Sequence, residues 1–305
     1  MVLDGALATE LERHGADLND PLWSAKVLLE QPQLIRAVHY DYFMSGADVA
    51  TTASYQASFA AFAQRGIASE RASQLFRESV SLAIAARDEF LRLPAATADS
   101  RFPKRLRPLV AASLGPYGAA LADGSEYRGG YSLSDAELAA FHRPRLIALT
   151  SAGPDLLAFE TIPSLREALV LAHLLAELPE HYAWISFSCQ DGTRTCEGQD
   201  VADCARTLNA FAQVAAIGIN CTSPAYVPSL LHRMRAHTDK PLLAYPNSGE
   251  RYDAATKRWH GAGAGVSFAS HACAWYEAGA RLIGGCCRTT PADIRAIRES
   301  LAICV

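Results

Sequence analysis

The chain has 305 residues, half of them apolar and 20% charged, with a formal net charge of -4, so it is long enough to bury a sizeable core. A slightly acidic balance without a basic block argues against nucleic acid as a partner, since the local basic cluster Lys104, Arg105 and Arg107 lies in a polar connector. No apolar run approaches the roughly 20 residues of a membrane helix, and Met1-Val2-Leu3-Asp4-Gly5 has no basic region followed by an apolar one. Neither a membrane span nor a signal peptide is expected, and the cytoplasm is the expected compartment.

Short apolar or β-branched runs recur at residues 1–4, 48–54, 108–113, 155–159, 182–188, 214–219, 241–245 and 280–283. Each passes through a small, polar or reactive residue into a helical pattern. The run ends are, in order, Asp4-Gly5, Tyr55, Gly115-Pro116-Tyr117, Glu160-Thr161, Cys189-Gln190-Asp191, Asn220-Cys221-Thr222, Pro246-Asn247 and Gly284-Gly285-Cys286-Cys287. Helical periodicity is clearest at 32–45, 70–91, 201–211, 227–237 and 268–278. Ser134 with Glu137, and Ser164 with Glu167, fit capping boxes, and Thr290-Pro291 with Asp293 marks a further helix start. Strands alternating with helices predict parallel pairing, and eight such units predict a single α/β domain over residues 1–305, a closed (β/α)8 TIM barrel. Two long loops, 93–107 and 118–131, interrupt the pattern without marking a boundary.

Active sites in such barrels form at the C-terminal ends of the strands. Asp4, Tyr55, Glu160, Asn220, Cys221, Cys286 and Cys287 all fall there in this reading. Eight cysteines in a chain with its own core do not read as a secreted disulfide framework. Cys189, Cys196, Cys204, Cys273 and Cys304 sit singly, as small buried hydrophobes do. Cys286 and Cys287 differ, because neighbours on a strand face opposite sides, and aiming both at one site requires irregular backbone that Gly284 and Gly285 permit. A following helix N-terminus favours their thiolate form.

Cys221 would reach the same mouth, since the strands before it and before the pair are separated by one strand. Three thiolates suit a catalytic zinc, which keeps three protein ligands and one open position. A structural zinc, or buried or redox thiols, remain alternatives on spacing alone. His260, His271 and Cys273 are rival ligands, with ordinary packing as their other reading. Thiolates already donate charge to the metal, so the open position suits a substrate thiol better than water.

Seven stretches carry a resemblance that spans almost the whole chain. They are Leu3-Asp4-Gly5-Ala6-Leu7-Ala8-Thr9-Glu10-Leu11, Thr52-Ala53-Ser54-Tyr55-Gln56-Ala57, Gly115-Pro116-Tyr117-Gly118, Leu121-Ala122-Asp123-Gly124-Ser125-Glu126-Tyr127-Arg128-Gly129, Gly218-Ile219-Asn220-Cys221, Tyr245-Pro246-Asn247-Ser248-Gly249-Glu250 and Gly284-Gly285-Cys286-Cys287-Arg288-Thr289-Thr290-Pro291. Together they resemble the homocysteine S-methyltransferase family, in its S-methylmethionine-using bacterial and plant branch, related to the betaine-homocysteine methyltransferases.

The resemblance implies a (β/α)8 barrel with Zn2+ on Cys221, Cys286 and Cys287, and methyl transfer from S-methylmethionine to the homocysteine thiol, giving methionine. S-adenosylmethionine is implied as a weaker donor. It also implies that Asp4 and Glu160 hold the homocysteine amino group and that backbone near Gly5 places its carboxylate. Tyr55 falls on the donor side, where an aromatic face or phenol can meet a sulfonium. Asn220, next to a ligand, is a candidate to orient the site; Glu126 and Tyr127 are candidates to cover the donor's polar end, and Asn247 to reach the mouth. Betaine-using relatives carry a tyrosine after the Glu160 position that can complete the zinc shell; this chain has Thr161, which leaves the resting fourth ligand open. Alternatives are a selenocysteine or other thiol or selenol methyltransferase, betaine as donor, or a non-catalytic zinc-binding barrel.

Overall fold

The computed structural model describes residues 1–18, 24–93, 105–253, 258–260 and 267–304. Its centre is a parallel sheet of seven strands, β1 (Val49–Thr51), β2 (Leu109–Leu114), β3 (Leu156–Ile162), β4 (Ala183–Phe187), β5 (Val214–Asn220), β6 (Leu242–Tyr245) and β9 (Ala280–Ile283), paired in that order. Val2 and Leu3 make single parallel bridges to Ile283 and Val49, so the N-terminal segment touches both edge strands. This mixed α/β architecture is consistent with a TIM-like barrel. β7 (Arg251–Asp253) and β8 (Arg258–His260) form a separate antiparallel pair, which the reading in βα units did not anticipate.

The strands alternate with a period of two even though both faces are buried. Val110, Ala112 and Leu114 join the large outer core, as do Leu157 and Phe159, Ile185 and Phe187, and Ile217 and Ile219. The intervening Ala111, Ala158, Trp184, Ala216, Leu243 and Tyr245 form an inner cluster with Leu3 and Val49. Small alanines on three strands leave room for the two large rings, and the Trp184 Nε1 donates to the Tyr245 hydroxyl at 3.1 Å.

The expected helices are present as α3 (Pro32–Met44), α5 (Ser69–Leu91), α9 (Val201–Asn209), α10 (Val227–Arg235) and α11 (Phe268–Glu277); α12 (Pro291–Cys304) begins at the predicted proline. Before them lie α1 (Leu7–Arg13) and α2 (Ser24–Glu30), with α4 (Phe59–Gln64) between α3 and α5. The loop 118–131 is partly ordered as α6 (Tyr117–Leu121) and a short turn of 3-10 helix at Ser125–Tyr127. Lys104 and most of the loop 93–107 lie outside the described residues. Among the described residues no helix is long and apolar enough to cross a membrane.

Four expectations are corrected. The segment 1–4 contributes bridges rather than a full strand. β3 runs on to Ile162, with a register shift after Phe159 and Thr161 at φ +61°, so Glu160 and Thr161 sit on a bulged strand instead of past its end. In α7 (Asp135–Thr150) Ser134 and Glu137 form the full capping box, but in α8 (Leu165–Ala176) only the Ser164 side chain caps, because the Glu167 carboxylate turns inward to His142. Cys273 and Cys304 are not single buried thiols: they form a disulfide between α11 and α12, with Cα atoms 5.9 Å apart. Cys189 and Cys204 are buried as expected, and Cys196 is half-buried.

Candidate active site and metal centre

β5 delivers Asn220 and then turns sharply, with Cys221 in the left-handed region at φ +46°. β9 leads into Gly284 and Gly285, and the cysteine pair follows in a loop fixed by its backbone. The Cys286 N–H donates to Pro246 O at 2.8 Å, the Ser248 N–H donates to Cys287 O at 3.1 Å, and Thr289 donates to Cys286 O through N–H (3.1 Å) and Oγ1 (2.6 Å). The sulfurs of Cys221 and Cys286 lie 2.6 Å apart and those of Cys221 and Cys287 3.3 Å apart. All three fall within 4.8 Å of one another, and no other His, Cys, Asp or Glu group of this kind occurs among the described residues, so His260, His271 and Cys273 drop out as rivals.

The two glycines serve a different purpose from the one expected. Neither Gly284 nor Gly285 has a positive φ; the left-handed residues are Cys221 and Arg288, on either side of the cluster. A Cβ on Gly284 would lie 2.6 Å from Leu3 Cβ, and one on Gly285 would lie 2.6 Å from Thr289 Cβ. The glycines permit close approach. Nor does a helix dipole act directly on the thiols, because α12 starts four residues beyond Cys287. What favours thiolate is mutual: hydrogen bonds from Cys286 and Cys287 hold the Cys221 thiol well below its usual range, with the Tyr127 hydroxyl 3.5 Å away, while the two donors are pushed up.

Near Cys221 stands the buried carboxyl of Glu160, and next to it that of Asp4. Asp4 accepts from the Thr51 N–H (2.7 Å) and Oγ1 (3.1 Å), and burial pushes its pKa well up. Glu160 accepts from the Ser113 hydroxyl and from the Tyr245 hydroxyl at 3.1 Å, and burial pushes its pKa up to about 7. Among the described residues no basic side chain is a leading influence on either group. Paired buried acids without a cation of their own are suited to receive one from a ligand.

A sequence profile described as Homocysteine S-methyltransferase matches residues 1–301. The chain belongs to that family. It is 55% identical over 297 residues to the Bacillus subtilis homocysteine S-methyltransferase YbgG, covering 97% of this chain and 93% of that one. It is 47% identical to a selenocysteine Se-methyltransferase of Brassica oleracea var. italica, over 98% of this chain and 88% of the other. The crystal structure of the Escherichia coli homocysteine methyltransferase MmuM in metallated form superposes with a TM-score of 0.86 at 47% identity, covering 98% of this chain and 95% of that one.

The chain is therefore an enzyme, a homocysteine S-methyltransferase by family, and the resemblance to that family read from the seven stretches holds. The metallated MmuM and the three converging thiols point to a metal site at Cys221, Cys286 and Cys287. The donor set fits a soft divalent ion. Metal–sulfur bonds of about 2.3 Å space sulfurs about 3.8 Å apart in a tetrahedral shell; the 2.6 and 3.3 Å separations from Cys221 are shorter, so the sulfurs must spread to hold the ion.

The remaining candidates are placed around this cluster. Asn220 Nδ2 lies 3.8 Å from Cys286 Sγ. The Tyr55 phenol lies beside Thr161, with Cys221 and Glu126 near enough to act on it. Glu126 Oε2 is buried without a hydrogen-bond partner, and burial raises this carboxyl to about 7. A Cβ on Gly5 would lie 2.8 Å from Thr289 Oγ1 and 2.9 Å from the Tyr42 hydroxyl, which accounts for a glycine there. Asn247 is buried beside Thr222, but its carboxamide oxygen accepts from the Gly249 N–H at 2.9 Å, so its side chain closes a turn. Sequence reasoning gave no role to Thr51, Ser113 or Tyr245, which orient the two acids; Tyr245 ends a strand inside a family stretch, and that was the available signal.

Proposed function

We propose that the chain transfers a methyl group from S-methylmethionine to the thiol of homocysteine, giving two molecules of methionine, with zinc on Cys221, Cys286 and Cys287. The supporting observation is that three converging thiols lie beside Glu160, which in turn neighbours Asp4, two buried acids without an ion-pair partner among the described residues. An amino acid bearing a thiol answers both features at once. Bound there, zinc supplies the charge that lets a substrate thiol ionise near neutral pH.

Glu160 and Asp4 would hold the homocysteine ammonium, and the backbone at Gly5 its carboxylate. The substrate sulfur forms a bond to the methyl carbon as the carbon–sulfonium bond breaks, its electron pair staying on the departing sulfur. The thiol proton leaves to solvent on binding. No general base is needed in the transfer, so positioning dominates. Tyr55, Glu126 and Tyr127 would face the donor, and the approach of cation to thiolate, which cancels charge, is favoured by a buried, weakly hydrated mouth. Asn220 would orient the site. In this reading residues 1–305 act as one barrel domain, with the segment at Val2 and Leu3 as its eighth stave, and the reaction runs in the cytoplasm.

Selenocysteine as acceptor is the second reading, favoured by the 47% identity to the plant selenocysteine enzyme. S-adenosylmethionine and betaine are the other donors to test. The experiment is to incubate zinc-loaded protein with homocysteine or selenocysteine and each donor in turn, and to quantify the methylated product. S-methylmethionine with homocysteine is expected to be the most productive pair; no methionine from any donor overturns the proposal.

A further inference from the structure

Behind the mouth, on the helix side of the sheet, lies a charged cluster that the reaction as described does not use. Arg145 and His142 on α7 and Glu167 on α8 are all fully or almost fully buried. The Arg145 Nη1 donates to Gly115 O at 3.0 Å and its Nη2 to Tyr55 O at 3.0 Å. Nη1 also lies 3.3 Å from His142 Nδ1, and His142 Nε2 lies 2.8 Å from Glu167 Oε1. A guanidinium only donates, so Nδ1 must accept and the imidazole proton sits on Nε2, donating to Glu167. The same Glu167 oxygen accepts from the Tyr117 N–H at 2.7 Å.

A neutral imidazole thus joins a buried cation to a buried anion. Burying such charges costs several kcal/mol unless they are paired and hydrogen-bonded; Arg145 Nε and Glu167 Oε2 are left without a partner, and the backbone groups that the other polar atoms engage belong to two loops, those after β1 and β2. Gly115 N–H also donates to Tyr55 O at 3.1 Å, tying the loops together. A Cβ on Gly115 would lie 2.6 Å from the Tyr55 ring, so the ring rests against that glycine. Farther along, the Tyr117 ring packs edge-on against Tyr131 at 5.2 Å, and a Cβ on Gly118 would meet Glu126 N at 2.6 Å. The contacts run without a break from Arg145 to Tyr55, Glu126 and Tyr127.

We propose that Arg145, His142 and Glu167 are positioning residues for the methyl donor: they fix the loops carrying Tyr55 and Glu126–Tyr127 against the thiols while leaving the homocysteine side untouched. The homocysteine side is held from within the strands and not from their loops, with Asp4 held by Thr51 of β1 and Glu160 by Ser113 of β2 and Tyr245 of β6. The inference rests on the proposal that Tyr55, Glu126 and Tyr127 face the donor.

The test compares zinc-loaded wild type with Arg145→Gln and Arg145→Lys. Amide hydrogen exchange is expected to rise about tenfold or more at 53–57 and 115–127 in Arg145→Gln, with 217–221 and 280–288 unchanged, because the Gly115 and Tyr55 carbonyls each lose the guanidinium as a donor. The apparent KM for S-methylmethionine is expected to rise about tenfold while the KM for homocysteine and the zinc content stay within about twofold. Lysine keeps the charge but reaches one carbonyl at a time, so Arg145→Lys falls between. Unchanged exchange at 115–127, exchange rising throughout the chain, or both KM values rising together would overturn the proposal. Should Arg145→Gln fail to fold, Arg145→Lys carries the same comparison. Inactivity of the wild type with every donor would count against the proposed function, and the exchange pattern would still decide the positioning role.

Discussion

Asn220 and Thr161 hold each other through both ends of one carboxamide: Oδ1 accepts from the Thr161 N–H at 2.7 Å, and Nδ2 donates to Thr161 Oγ1 at 2.8 Å. A β-branched residue at φ +61° costs on the order of 1–2 kcal/mol, and two buried hydrogen bonds offset it. The same Nδ2 lies 3.8 Å from Cys286 Sγ. Asn220→Ala is therefore expected to weaken zinc binding by about 10- to 100-fold, as outer-shell substitutions do, read by competition with a chromophoric chelator. Zinc affinity equal to that of the wild type would show that the amide holds only the β3 bulge.

Metal loading and stability should move together in this chain. Binding to the folded state alone adds RT ln(1 + [L]/Kd) to stability, about 4 kcal/mol at a thousandfold excess over Kd. Chelation is expected to lower the melting temperature of the wild type and to leave Cys287→Ala where it already is. Cys221→Ala, Cys286→Ala and Cys287→Ala should each lose the roughly one zinc per chain that a three-thiolate site holds, whereas Cys204→Ala should keep it. A chelator-sensitive melting temperature in Cys287→Ala would refute the ligand assignment.

The architecture was legible because period-two alternation and reactive run ends are local signals, and Ala280–Ile283 appears with the bounds read from sequence. Tertiary closeness is not local. Cys273 and Cys304 are 31 residues apart, and nothing in their surroundings marks them as partners. The bulge at Glu160 and Thr161 was hidden because an acid and a threonine after an apolar run look like a turn into a helix, and only the carboxamide of Asn220 from the next-but-one strand makes that backbone tolerable. Arg145 and His142 carry no local signal in the sequence, and Glu167 reads as the second half of a capping box; their burial goes with backbone groups delivered by two distant loops.

Glu160 links pH to both substrate binding and stability. Its carboxyl sits at about 7 in the fold, raised by burial from the model-peptide value of 4.5. Because the folded pKa is raised, the folded state binds the proton more tightly, so stability contributed by this group is greatest below the unfolded value and is lost as pH rises from about 4.5 to about 7. Binding an ammonium requires the opposite charge state. The homocysteine KM of the zinc enzyme should therefore rise as pH falls below about 7, and Glu160→Gln should raise KM at neutral pH while flattening both profiles. Unaltered pH profiles in Glu160→Gln would remove this group from substrate binding.

Thr289 is buried between two glycines, and this packing aims the cysteine loop. A Cβ on Gly5 would lie 2.8 Å from Thr289 Oγ1, and one on Gly285 would lie 2.6 Å from Thr289 Cβ and Cγ2. The Thr289 hydroxyl donates to Cys286 O at 2.6 Å and accepts from the Ala6 N–H at 3.2 Å. Gly285→Ala must push Thr289 aside and with it the carbonyl of a metal ligand. Overpacking of this kind costs about 1–3 kcal/mol, and zinc affinity should fall with it. Thr289→Ala removes both the Oγ1 and the Cγ2 that meet the new Cβ, so Gly285→Ala with Thr289→Ala should be more stable and bind zinc more tightly than the sum of the single changes allows. Denaturant midpoints and zinc competition on the four proteins of this cycle decide it: strict additivity would mean that Gly285 does not act through Thr289.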